Sequence, residues 1–177
     1  MTTARLLLRE WTEADRPAFA HLVNTPAMTV ALGGLASPAE VDALFDKRMA
    51  DQARDGFCYW AAELRASGEM VGSVGIRAAT NYTGTPVFGM IEAGWRIGES
   101  WWRRGFAIEA ASAAIAWAWA NLDAPRVGAW ATAANLPSLS VMGRLGFVRA
   151  VELDFDRPES GERCLVHVLE RPARGAQ

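Results

Sequence analysis

Hydrophobic and polar positions alternate most regularly between Met90 and Gly98. Ile91, Ala93, Trp95 and Ile97 share one face there and Glu92, Gly94 and Arg96 the other, the period of two that predicts a pleated strand. Gly94 interrupts the pattern and marks a bulge or a close backbone approach. The period then changes. After the turn Gly98-Glu99-Ser100-Trp101-Trp102-Arg103-Arg104-Gly105, the run from Phe106 to Leu122 is mostly alanine, with Ile108, Ile115, Trp119 and Leu122 recurring at helical spacing. This predicts a buried central helix whose small residues let it lie close to a sheet. A membrane span needs ~20 apolar residues, more than this run offers, and Glu109 sits inside it.

The flanking pattern supplies a scaffold. Ala4 to Trp11 reads as a first strand, apolar on both faces and so expected to be covered on both. Thr12 or Asp15 caps a helix that runs to about Val23, with Pro17 in its first turn. Asn24 to Ala36, with Pro26 and Gly33-Gly34, reads as an ordered loop. Ser37-Pro38-Ala39-Glu40 is a capping box that opens a second helix, ending near Arg54. Phe57 to Arg65 and Glu69 to Arg77 form an antiparallel hairpin across Ala66-Ser67-Gly68, and Asn81 to Gly89 leads into the alternating strand. Downstream lie a strand over Arg126 to Thr132, a helix within Ala133 to Leu145, and a hairpin of Phe147 to Leu153 with Arg163 to Leu169. Pattern alone predicts a mixed α/β domain.

Length and composition narrow the class. A chain of 177 residues fits a single domain, placed at 1–170, with 171–177 as a frayed tail. Net charge of −2 and a 51% hydrophobic fraction argue against a disordered or nucleic-acid-coating protein, so neither nucleic acid nor membrane is an expected partner. Cys58 and Cys164 form no CxxC and no cluster with His21 or His167, which points to small core residues rather than a disulfide, a zinc site or a nucleophile. No export signal is apparent at the N-terminus, and the expected location is cytoplasmic.

The chemistry concentrates at the turn before the central helix. Unpaired backbone N–H groups and the positive end of the helix dipole attract an anion there, and Arg103 and Arg104 add charge. Neither G-x-x-x-x-G-K-[ST] nor G-x-G-x-x-G is present, so a general nucleotide-binding domain is a weak reading. The run Trp101-Trp102-Arg103-Arg104-Gly105-Phe106-Ala107-Ile108-Glu109-Ala110 resembles the acyl-CoA-binding motif of the GNAT family, the GCN5-related N-acetyltransferases, in its ribosomal-protein alanine acetyltransferase-like branch. Arg103 stands where a glycine is frequent in that branch, which makes the backbone less free. Asn135-Leu136-Pro137-Ser138, followed by a short helix ending in Gly146-Phe147, resembles the family's second signature. The element order matches the family over nearly the full length.

The resemblance implies a largely antiparallel mixed sheet with two splayed parallel strands, Met90 to Gly98 and Arg126 to Thr132, flanked by helices. It implies transfer of an acetyl group from acetyl-CoA, without a metal, to a primary amine by direct attack in a ternary complex. Trp95, Ile97, Trp102, Arg103, Arg104, Gly105, Phe106, Ala107, Asn135 and Ser138 are the implied cofactor-binding residues, backbone N–H groups near Trp95 and Ile97 receiving the thioester oxygen. Asn135 would bond the pantetheine amide, although its position equally suits a helix cap. Ser138 is the candidate proton donor to the leaving thiolate, with Ser140 the other hydroxyl in reach, and Glu92 the candidate acceptor of the amine's proton. A strand glutamate more often faces solvent or pairs with arginine. Substrate choice is expected from the loop Asn24 to Ala36 and the turn Asp154 to Glu162, where Asp154, Asp156, Glu159 and Glu162 favour a cationic amine by field unless they form only a solvated turn. Protein N-termini and small-molecule amines both remain open as acceptors, as does a homodimer. The competing reading is an acyl-CoA-binding regulatory or interaction domain without turnover.

Overall fold

The computed structural model describes residues 1–30, 33–158 and 160–173. Ala31 and Leu32 of the expected loop, Glu159 of the acidic turn and residues 174–177 of the expected tail lie outside the described residues. The described residues form two compact units, one within 1–77 and 93–115, the other within 78–92 and 116–173.

The first unit begins with β1, Leu6–Arg9, antiparallel to β2, Tyr59–Leu64, which pairs antiparallel with β3, Met70–Ala78. Leu6 and Leu8 are buried but Leu7 is 36% exposed, so β1 is covered on one face, not on both as its apolar run suggests. A capping box between Thr12 and Asp15 opens a 3-10 turn, Glu13–Asp15, which runs into α1, Arg16–Val23. The expected loop holds one helical turn, α2, Pro26–Thr29, capped by Thr25, and Pro26 that reads as a breaker serves as its first residue. α3, Pro38–Asp55, has the expected Ser37–Glu40 capping box and ends at left-handed Gly56. Trp11, Phe19 and Phe45 meet edge to face, with centroids 5.2–5.7 Å apart, at the centre of this unit's core. β4, Ile91–Ile97, brings its second half into the unit. The approach to β3 is close: a Cβ at Gly72 would lie 2.2 Å from the Arg96 carbonyl oxygen.

In the second unit, the start of β4 pairs parallel with β5, Arg126–Ala131, through Ile91↔Val127 and Glu92↔Gly128. β5 pairs antiparallel with β8, Arg163–Glu170, over its whole length. The last hairpin departs from expectation. Instead of one strand from Phe147 to Leu153, β6 covers Val148–Arg149, a 3-10 turn covers Val151–Leu153, and β7 covers Phe155–Asp156, both strands pairing with β8. Asp154 explains the break, since its carboxylate accepts the Val166 N–H at 2.9 Å, a bond that strand backbone would otherwise make. Tyr82, Trp130 and Phe155 form this unit's aromatic centre, with centroids 5.2–5.8 Å apart. The backbone is still bonded at Arg171, whose N–H donates to the Pro125 carbonyl.

The long helix α4, Phe106–Asn121, has a buried face different from the expected stripe. Ala110, Ala111, Ala114 and Ala118 are fully buried, with Phe106 and Ile115 beside them, while Ile108, Trp119 and Leu122 are only half-buried. Small side chains let a helix approach its neighbours closely, so alanine faces inward and the large residues flank the contact. No helix among the described residues is long and apolar enough to cross a membrane.

Candidate active site

The turn between β4 and α4 exposes polar backbone beside two arginines. Among the described residues, the backbone N–H groups of Arg103, Arg104, Gly105, Phe106, Ala107 and Ile108 make no hydrogen bond, and the first intrahelical bond runs from Glu109 N–H to the Gly105 carbonyl at 3.0 Å. Arg103 and Arg104 are exposed beside these donors. Gly105 has φ +82° and Arg103 φ +61°, so two of three consecutive residues take the left-handed conformation. For a non-glycine residue that conformation costs ~1–2 kcal/mol. Arg103→Gly is therefore expected to raise unfolding stability by about 1 kcal/mol in chemical denaturation while weakening anion binding through the lost charge. An unchanged or lowered stability would show that the arginine side chain offsets its backbone strain.

Aromatic groups wall the turn. The Trp102 indole N–H donates to the Ile97 carbonyl at 2.5 Å, which holds the exposed ring against the end of β4. The Arg104 guanidinium lies 4.8 Å from the Trp101 ring centre, and Trp101 in turn packs against Phe106. Trp95 is half-buried and Ile97 buried on the strand itself. Gly94 marks a close approach, as expected: a Cβ there would lie 2.7 Å from the Tyr59 ring and hydroxyl.

A residue missed in the sequence also belongs here. Arg5 donates Nε to Glu109 at 2.7 Å and Nη1 to the Arg104 carbonyl at 3.0 Å, with its guanidinium 4.5 Å from the Phe106 ring centre. Thr3 Oγ1 and the Arg5 N–H both donate to the same Glu109 carboxylate, at 2.6 and 2.8 Å. Burial alone would raise this carboxyl's pKa, but the bonds from Thr3 and Arg5 outweigh it and hold the group below the usual carboxylate range.

The first unit also contains a cavity of about 130 Å³ under the segment 24–36, lined in part by Asn24, Thr29, Gly34, Val41 and Arg96. Asn24 closes this segment on itself. Its Nδ2 donates to the Ala36 carbonyl and its Oδ1 accepts the Ala36 N–H, both at 2.9 Å.

The second unit holds the remaining candidates. Glu92 is 8% exposed, so it does not face solvent, and it stands in register with Gly128, where a Cβ would meet the Met90 sulfur at 2.4 Å. Asn135 caps α5, Leu136–Arg144, through its Oδ1, which accepts the Ser138 N–H at 3.2 Å. The capping role is real, and it leaves the amide Nδ2 as the end that can meet a ligand. Ser138 Oγ makes no hydrogen bond among the described residues and is half-buried, whereas Ser140 is exposed.

The acidic turn supplies less field than its sequence implies. Asp154 accepts from Arg149, whose hydrogen bond holds its carboxyl below the ordinary range, while Asp156 lies 3.4 Å from Arg163 and Glu162 3.9 Å from Arg157. These three carboxylates each have a nearby cation. Both cysteines are buried free thiols with pKa values pushed up by burial, the setting of the small core residues expected at these positions.

Comparison with known proteins gives this geometry a family. A crystal structure of an acetyltransferase from Agrobacterium tumefaciens str. C58 matches with a TM-score of 0.81 at 26% identity, over 96% of this chain and 93% of that one. Spermidine N-acetyltransferase from Vibrio cholerae, in complex with CoA and spermine, matches with a TM-score of 0.67 at 17% identity, over 94% and 95%. Ribosomal-protein-S5-alanine acetyltransferase from Vibrio fischeri matches with a TM-score of 0.70 at 14% identity, over 99% and 98%. At such identities the last two show the fold alone: a mixed sheet with a parallel β4–β5 pair and flanking helices. The acetyltransferase (GNAT) domain model matches residues 5–148, a span that takes in the turn at 98–105, Glu92, Asn135 and Ser138, and the chain therefore belongs to the GNAT family of acetyl-CoA-dependent acetyltransferases.

Proposed function

We propose that the protein is an N-acetyltransferase of the ribosomal-protein acetyltransferase-like branch, acting on a primary amine, either a protein N-terminus or a small molecule. The observation that carries this reading is the row of unbonded N–H groups from Arg103 to Ile108 beside two arginines, which suits the pyrophosphate of CoA. Acetyl-CoA supplies an activated acyl carbon. Trp102, Phe106 and Ala107 hold the donor at the turn, and Asn135 receives the pantetheine amide through Nδ2. Backbone N–H groups near Trp95 and Ile97 bond the thioester oxygen as negative charge develops on it.

In the transfer, the amine nitrogen forms a bond to the acetyl carbon and the carbon–sulfur bond breaks. Glu92 takes the proton that the amine loses, and the Ser138 hydroxyl gives one to the leaving thiolate. Each such proton transfer is worth ~10²–10⁴-fold. The cavity under segment 24–36 takes the acceptor, a reading supported by its lining, in which Asn24, Thr29, Glu40 and Arg96 offer polar groups beside the apolar Val23, Val41 and Leu44. The two unpaired, buried thiols support a reducing, cytoplasmic setting.

Thermal unfolding with acetyl-CoA, and with ATP and NAD as controls, tests the reading. At ~100 times its dissociation constant a native-state ligand stabilises by about 2.7 kcal/mol, which for a chain of this size raises Tm by roughly 5 °C or more. A rise with acetyl-CoA alone, followed by thiol release with an amine, is expected. No rise at millimolar acetyl-CoA overturns the reading, and a rise without thiol release across protein N-terminal peptides and polyamines leaves a binding domain without turnover.

A further inference from the structure

We propose that Arg5 is a positioning residue for acetyl-CoA binding, one that aims the backbone of the phosphate turn without touching the ligand. The inference rests on the reading of residues 103–108 as the turn that holds the pyrophosphate.

The geometry is that of a clamp. Glu109, in the first turn of α4, accepts three bonds from the N-terminal segment: Thr3 Oγ1 at 2.6 Å, Arg5 N–H at 2.8 Å and Arg5 Nε at 2.7 Å. These fix the plane of the Arg5 guanidinium. Held in that plane and stacked 4.5 Å from the Phe106 ring centre, its Nη1 donates to the Arg104 carbonyl at 3.0 Å. The Arg104 carbonyl and the Gly105 N–H belong to one planar trans peptide unit, in which the two groups point in opposite directions. Pinning the carbonyl toward Arg5 therefore turns the Gly105 N–H away from Arg5. That N–H is one of the unbonded donors of the turn.

Gly105 needs such an external restraint. At φ +82° a glycine has no side chain to limit its backbone, and its freedom would be lost on binding at the cost of affinity. The Arg5 side chain is 49% exposed, so its contacts are not needed to bury a core. Lysine cannot reproduce the function, because one ammonium lacks the planar fork that reaches Glu109 and the Arg104 carbonyl together.

Titration calorimetry of Arg5→Ala, Arg5→Lys and Glu109→Gln with CoA, and with pantetheine, which lacks the pyrophosphate, tests the clamp. The expected result is an affinity for CoA about tenfold weaker in both Arg5 variants and about threefold weaker in Glu109→Gln, with pantetheine affinity within about twofold of wild type. Wild-type affinity for CoA in Arg5→Lys would overturn the proposal, since charge alone would then suffice. Equal weakening toward CoA and pantetheine would also overturn it by showing a general structural role. Should Arg5→Ala not fold, the Lys and Gln variants decide by the same criteria. Failure of the wild-type protein to bind CoA removes instead the reading of the turn on which the clamp depends.

Discussion

Gly105→Asp abolishes acetyl-CoA binding in a protein that still folds. Aspartate tolerates the left-handed φ of +82° better than most residues, so the stability cost stays near ~1 kcal/mol. The loss at the ligand is larger, for two reasons. A carboxylate occupies the row of N–H donors proposed to hold phosphate, and a side chain at this position starts 3.5 Å from Arg5 Nη2, close enough to draw the guanidinium out of its clamp. We expect a dissociation constant at least ~100-fold higher, equivalent to about 2.8 kcal/mol. Gly105→Ala serves as the control: it meets only ordinary contact in the same place, costs about 1 kcal/mol of stability for its φ, and leaves most of the affinity. Calorimetry of the two variants against acetyl-CoA checks the pair. Unchanged affinity in folded Gly105→Asp would place the pyrophosphate elsewhere.

The second large effect falls on turnover. Ser138→Ala removes a hydroxyl that has no hydrogen bond among the described residues and keeps the N–H that Asn135 caps, so α5 should start as before. The dissociation constant for acetyl-CoA should stay within about twofold, while kcat falls on the order of 10²-fold, the lower end of what general acid help is worth. Steady-state kinetics with direct binding on the same preparation separates the two quantities. Equal losses in both would make Ser138 a binding residue. A comparable kcat loss in Ser140→Ala, with Ser138→Ala silent, would move the acid role by half a helical turn.

The fold was legible wherever its signals lie within a few residues of each other. The alternation from Ile91 to Ile97, the Ser37–Glu40 box and the Asn135 cap each work through neighbours along the chain, and each element formed close to its expected bounds. The two family motifs are also local runs, which is why the chain's family could be read from them. Gly94 belongs with them, as a residue whose missing side chain already announced a close approach.

Only the tertiary structure decided which polar groups are buried and what they hold. Glu92 is buried although its strand face reads as polar, since burial of a strand face depends on what packs over it and not on the alternation along the strand. The hairpin strand expected at Phe147 to Leu153 breaks because Asp154 bonds the Val166 N–H, twelve positions away. Alanines, not the larger residues, form the buried face of α4, since the depth of burial depends on how near the neighbouring backbone comes. Arg5 and Glu109 are 104 positions apart, and a charge pair over that distance leaves no periodicity or spacing to read. The sequence by itself determined the elements and the family turn; the long-range contacts, whose energy depends on three-dimensional approach rather than on order along the chain, decided how that turn is held.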